Sequence, residues 1–142
     1  MIVPDLNLLL YAYDASSGRY PLAAKWWESV MNGSEAVGLP WAVLLGFIRL
    51  TTSRAVMRRP LSAARACGHV REWLGAPNTT ILQPGDGHAA ILLPLLEALG
   101  TAGNLTTDAH LAALAIEHRA VLHTTDRDFA RFAGLKWTNP LA

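Results

Sequence analysis

Short apolar runs alternate with stretches of helical periodicity along the whole chain, and this alternation constrains the fold more than any single residue. Strands separated by helices pair in parallel, because each crossover returns the chain to the same edge of the sheet. Ile2-Val3-Pro4 is the first run. Pro4 brings no amide, so one-sided pairing is expected there. Leu8, Leu9, Ala12 and Tyr13 then recur at helical spacing, and Pro21 is placed to open a second helix that Asn32-Gly33 stops. Ala36 to Leu39 predicts a second strand, and Pro40 the first turn of a helix reaching Leu50. Ser62 reads as the cap of a helix ending at Leu74-Gly75, and Thr79 to Leu82 as a third strand. A helix from His88 to Leu99, a loop from Gly100 to Gly103, a helix from Thr107 to His118 and a strand from Ala120 to Thr124 follow. A short helix holding Phe129 and Phe132, then an edge strand from Leu135 to Trp137, end the pattern. The expectation is a three-layer α/β/α domain around a central parallel sheet of about five strands. Its helices cover both faces, and its ligand rim lies at the strand C-termini.

No linker, low-complexity tract or repeat interrupts the 142 residues, so residues 1–142 are expected to form one domain. A hydrophobic share of 51% against 16% charged residues excludes a disordered chain. No apolar run approaches the roughly 18 residues of a membrane span, and no basic segment precedes a small-residue cleavage site near the start. The single cysteine, Cys67, closes no intramolecular disulfide. A cytoplasmic protein without membrane association is expected. The net charge of +1 demands no polyanionic partner, but its distribution is uneven. Arg49, Arg54, Arg58, Arg59, Arg65 and Arg71 fall in a stretch without one Asp or Glu. They either contact RNA phosphates or form solvated helix faces.

Three aspartates stand where chemistry sits on such a sheet: Asp5 after the first strand, Asp126 after the fourth, and Asp108 in the first turn of a helix. Each alone is a good capping residue, worth about 0.3 to 1 kcal/mol against the helix dipole. The three together mean more, since crossover topology can bring their segments to one rim. Clustered carboxylates repel and raise one another's pKa unless a cation neutralises them. An all-oxygen set suits Mg²⁺ or Mn²⁺. The histidines form no HExxH or Cys-His pattern; His110 and His118 are eight apart, and His69 and His88 lack a partner pattern. Solvent-facing or core histidines are expected. Adjacent Trp26 and Trp27 cannot share one helix face, so at most one is fully buried. The other either packs at the core edge or lines an apolar groove with Leu9, Tyr13 or Trp41, suited to a partner helix.

The segments Val3-Pro4-Asp5-Leu6-Asn7, Gly103-Asn104-Leu105-Thr106-Thr107-Asp108-Ala109-His110 and Thr124-Thr125-Asp126-Arg127-Asp128-Phe129 resemble the PIN-domain ribonucleases. Within them the chain is similar to the VapC toxins of bacterial type II toxin-antitoxin systems. Pro40-Trp41 through Arg49 and the closing Trp137-Thr138-Asn139-Pro140 look like an actinobacterial-type branch, so the resemblance spans nearly the whole chain. It implies Mg²⁺-dependent (or Mn²⁺-dependent) endoribonuclease activity on an RNA substrate, with Asp5, Asp108 and Asp126 as both catalytic and metal-holding residues. Asp128 is a weaker candidate, and Thr124 or Thr125 is expected to orient an outer-shell water. A cognate VapB-type antitoxin and a homodimer are implied as well. Many members carry a glutamate on the helix after the second strand; here that place is Gly46, and no Asp or Glu occurs from Ala36 to Arg71. The resemblance therefore leaves one alternative, a degenerate PIN domain that binds protein or RNA with little or no catalysis. A haloacid-dehalogenase-type phosphatase would want Asp-x-Asp where Asp5-Leu6-Asn7 stands. A response-regulator receiver would want an acidic pair after the first strand and a late Lys at a strand end, where only Lys136, inside the last expected strand, occurs.

Overall fold

The computed structural model describes all 142 residues. The chain runs β1 (Ile2–Pro4), α1 (Leu6–Tyr13), α2 (Tyr20–Met31), β2 (Val37–Pro40), α3 (Trp41–Thr51), α4 (Ala63–Gly75), β3 (Thr79–Leu82), α5 (His88–Leu99), α6 (Thr106–Glu117), β4 (Val121–His123) and β5 (Trp137–Thr138). Single 3-10 turns cover Gly103–Leu105 and Arg127–Arg131. The five strands form one all-parallel sheet in the order β3-β2-β1-β4-β5. Helices α1 to α4 pack among themselves, and α5 packs on α6. This is the three-layer α/β/α arrangement that the alternating pattern predicts.

Local chemistry explains the element ends. Pro21 sits in the first turn of α2, and the side chain of Ser62 accepts from the Arg65 amide to cap α4. Pro40 closes β2 and serves as the N-cap of α3, one step earlier than its expected place inside the helix. The loop expected from Gly100 to Gly103 tightens at its end into a 3-10 turn, with Gly100 and Gly103 at φ of 72° and 45°. Phe129 lies in the second 3-10 turn and Phe132 is its C-cap, so the expected short helix is a single tight turn. β5 is shifted to Trp137–Thr138.

Pro4 has the one-sided role its missing amide requires. β1 meets β2 only at Ile2, whereas Ile2, Val3 and Pro4 all pair with β4. The Asp5 amide continues that ladder by donating to the His123 carbonyl at 2.9 Å. Beneath the sheet, Phe47 and Trp73 pack edge to face at 4.6 Å with Tyr13 against both. Trp73 and Trp27 are 1% and 3% exposed, and Trp26 is only half-buried, as neighbours on a helix must be.

Candidate metal centre

The strand order fixes where a ligand can sit. β1 leads outward to β2 on one side and β4 leads to β5 on the other, so the crevice opens between the C-terminal ends of β1 and β4. Asp5 follows β1 directly, and Asp126 lies just past β4. Helix α6 feeds the start of β4, so its own start stands at the same rim, and Asp108 is in its first turn.

Asp5 is 6% exposed and stands at the N-cap of α1 without a side-chain capping bond. Its Oδ2 accepts instead from the Thr124 hydroxyl at 2.7 Å. Thr124 Oγ1 in turn accepts from the Asp126 amide at 2.9 Å, and Asp126 Oδ1 accepts from the Asp128 amide at 2.8 Å. Asp126 thus caps its own turn, while Asp108 makes no capping bond. Burial raises the pKa of Asp5, and the charge of Asp126 adds to it; the Thr124 hydroxyl and the amides of Leu6 and Asn7 act against the rise. Asp108 is pushed up to about 6, first by burial and then by the charges of Asp5, Asp126 and Asp128. The three expected site residues, with Asp128 beside them, therefore share one electrostatic environment although they come from separate parts of the chain.

No protein cation relieves that environment, because the salt bridges of the molecule are His69–Glu72 and His88–Glu117 only. Oxygen-only donors with uncompensated charge fit a hard divalent cation. The side chains are not closed into a ready cage, since no three Asp, Glu, His or Cys groups converge on one point. Mg²⁺ needs no closed protein cage, because it keeps several waters and binds through one or two carboxylates.

Of the two threonines expected to orient an outer-shell water, Thr124 is fully buried and its hydroxyl is engaged by the Asp5 carboxylate and the Asp126 amide. Its position at the end of an apolar strand was the one signal available. Two histidine contacts also escaped the spacing patterns. His88 Nε2 lies 2.9 Å from His110 Nδ1, joining α5 to α6, and Trp26 Nε1 donates to His123 Nδ1 at 3.2 Å. Both pairs are remote in sequence, out of reach of any local motif. Gly46 is buried, and a Cβ there would come 2.6 Å from Leu6 Cδ2. The Leu6 side chain occupies the space a longer residue at position 46 would need.

Comparison with known proteins follows the same lines. The PIN domain family model matches residues 2–135. Ribonuclease VapC33 of Mycobacterium tuberculosis is 50% identical over 141 residues, 99% of each chain. Ribonuclease VapC37 of the same organism is 42% identical over 142 residues, 100% of this chain and 99% of that one. Among solved structures, VapBC-1 from nontypeable Haemophilus influenzae matches with a TM-score of 0.70 at 17% identity, covering 100% of both chains. VapBC2 from Rickettsia felis, bound to a promoter DNA fragment, matches at 0.68 and 19% identity over 98% of each chain. Mycobacterium tuberculosis VapC20, a Sarcin-Ricin loop cleaving toxin, matches at 0.62 and 18% identity, covering 96% of this chain and 99% of that one. The full-length identities and the matched fold together place the chain: it belongs to the PIN-domain family, among the VapC ribonucleases.

Proposed function

We propose that this chain is a metal-dependent endoribonuclease, the toxin of a type II toxin-antitoxin pair, cleaving RNA phosphodiester bonds to inhibit translation or growth. One observation carries the reading. Three carboxylates from separate segments share a rim with no protein counter-charge, in a chain 50% identical along 99% of its length to Ribonuclease VapC33. Asp5, Asp108 and Asp126 would hold Mg²⁺ or Mn²⁺, which would supply a water of lowered pKa and neutralise charge on the scissile phosphate. The chain's own part is orientation: Thr124 fixes the Asp5 carboxylate, and Asp126 is fixed through its amide to the same hydroxyl. The binding-only alternative is not favoured, since the relatives are named ribonucleases and Asp5, Asp108 and Asp126 lie within reach of one another's charge.

A VapB-type antitoxin is the proposed partner. An apolar cavity of about 520 Å³ between α1, α2 and α4, lined by Tyr13, Trp27, Met31 and Trp73, offers it an anchor. Of the residues expected around such a groove, Tyr13 lines it, whereas Leu9, Trp41 and the half-buried Trp26 do not; the indole of the pair that borders it is Trp27. Self-association is proposed through α5, which buries none of its residues despite a nearly continuous apolar sequence. No helix is long and apolar enough to cross a membrane.

The test is cleavage of a structured RNA by purified protein with Mg²⁺, its loss in EDTA, and its loss in Asp5→Asn and Asp108→Asn. Activity persisting in both variants would put the chemistry elsewhere. Sequencing of RNA ends after induced expression would identify the target.

A further inference from the structure

A second polar cleft, of about 720 Å³, lies outside the acidic rim. It forms where the end of α1 faces the α3–α4 connection and the first turn of α4, and Arg58, Arg59 and Arg65 line it. All three arginines are exposed and none makes a salt bridge. The one acid on the lining, Asp14, has its Oδ1 taken by the amide and hydroxyl of Ser16, at 3.0 and 2.6 Å. The positive end of the 13-residue helix α4 opens at the same place. Several like charges gathered in one concave surface focus a positive field outward and favour a polyanion.

The rim itself creates the need for such a surface. Four carboxylates gather there, and they repel the RNA that a ribonuclease must hold. We infer that the Arg58–Arg59–Arg65 cleft binds RNA backbone phosphates and so anchors the substrate apart from the cleavage site; this rests on the ribonuclease reading. An acidic peptide is the less apt occupant, because a peptide partner already has its apolar anchor in the cavity beside Trp27 and Trp73.

Binding is measured by fluorescence anisotropy of a labelled single-stranded RNA in an Asp5→Asn background, which removes turnover. The comparison adds Arg58→Gln, Arg59→Gln and Arg65→Gln together, with melting temperature as the check on folding. The expected result is weaker binding and a logarithmic salt slope shallower by about 2, from roughly 0.7 per lost phosphate contact. With Asp5 restored, the triple variant should raise KM for cleavage and leave kcat unchanged at saturating RNA. An unchanged slope and KM beside intact cleavage overturns the cleft alone. Loss of polyglutamate binding with RNA binding intact also overturns it and assigns the cleft to an acidic protein. A parent protein that neither binds nor cleaves RNA overturns the cleft and the ribonuclease reading together.

Discussion

The hydroxyl of Thr124 donates to Asp5 Oδ2 at 2.7 Å across 119 residues of sequence, with both side chains buried. The same oxygen accepts from the Asp126 amide at 2.9 Å. One hydroxyl therefore joins the ends of β1 and β4, holding the Asp5 carboxylate on one side of the crevice and the Asp126 backbone on the other. The sheet order makes this join possible, because β1 and β4 are neighbours although two strands, β2 and β3, come between them in the chain.

Thr124→Val keeps the side-chain shape and removes both bonds. A buried carboxylate and a partly buried amide then lose partners, so the loss of stability should be about 1 to 3 kcal/mol. Cleavage should fall at least about tenfold, since the site depends on held geometry. Thr124→Ser should recover most of both. Chemical denaturation and initial-rate assays read the two effects, and a valine variant as stable and active as wild type would show the bond to be idle.

The raised acid pKa values set a pH dependence for metal-free protein. Asp108 moves from 3.8 to about 6 on folding, so the folded chain binds more protons than the unfolded chain between those values. Its contribution to stability is fully present below 3.8 and is lost as pH rises through 6. Asp5 shifts in the same direction. Partial exposure of Asp108 limits the loss to about 1 to 2 kcal/mol. In EDTA the melting temperature should therefore drop across this window, and Asp108→Asn should flatten the drop. Mg²⁺ at ten times its dissociation constant should return about 1.4 kcal/mol. A pH-independent melting temperature in EDTA, matched by the Asn variant, would contradict the coupling.

Asp5→Asn separates stability from chemistry. Asparagine keeps an oxygen for the Thr124 hydroxyl and removes a buried charge that Asp126 repels. Metal-free Asp5→Asn should melt higher than wild type while losing cleavage. A lower melting temperature would show that the charge is better compensated than the rim geometry implies.

Much of this architecture is legible in the amino-acid sequence. β1 is legible because it is apolar and followed by Asp5, and β3 falls where Thr79 to Leu82 predicts it. The rim positions of Asp5, Asp108 and Asp126 followed from crossover topology. What stayed hidden has two physical sources. Side-chain bonds between distant segments, such as Thr124 to Asp5 or His88 to His110, leave no periodic trace. Element ends drift too: β4 runs Val121–His123, one residue short of each expected end, although the Thr124 amide still donates to the Thr138 carbonyl of β5.

Gly46 offers a test of how the rim could hold more charge. A Cβ there would meet Leu6 Cδ2 at 2.6 Å, the far end of a flexible side chain. Gly46→Glu alone should displace Leu6 and destabilise the fold by about 1 to 3 kcal/mol. Paired with Leu6→Ala, which empties that space, the same glutamate should cost less than the sum of the two changes. If it then reaches the rim, Mn²⁺ affinity should rise several-fold by titration calorimetry. Strict additivity of the two stability losses would show that Leu6 and position 46 do not compete for the same volume.

Helix α5 carries the last expectation. Leu92, Leu95, Leu96 and Leu99 pack partly against the core, whereas Leu93 is 53% exposed and Ala89, Ala90 and Pro94 beside it are exposed as well. An apolar helix face left open in this way favours pairing with a second copy, provided each protomer covers about 800 Å². Leu93→Glu places like charges at the centre of a two-fold contact, where every substitution occurs twice. Light scattering should therefore read a dimer for wild type and a monomer for Leu93→Glu, with a melting temperature that depends on concentration only in the former. A wild-type chain that stays monomeric at all concentrations would remove self-association from α5 and leave its outer face open to a different partner.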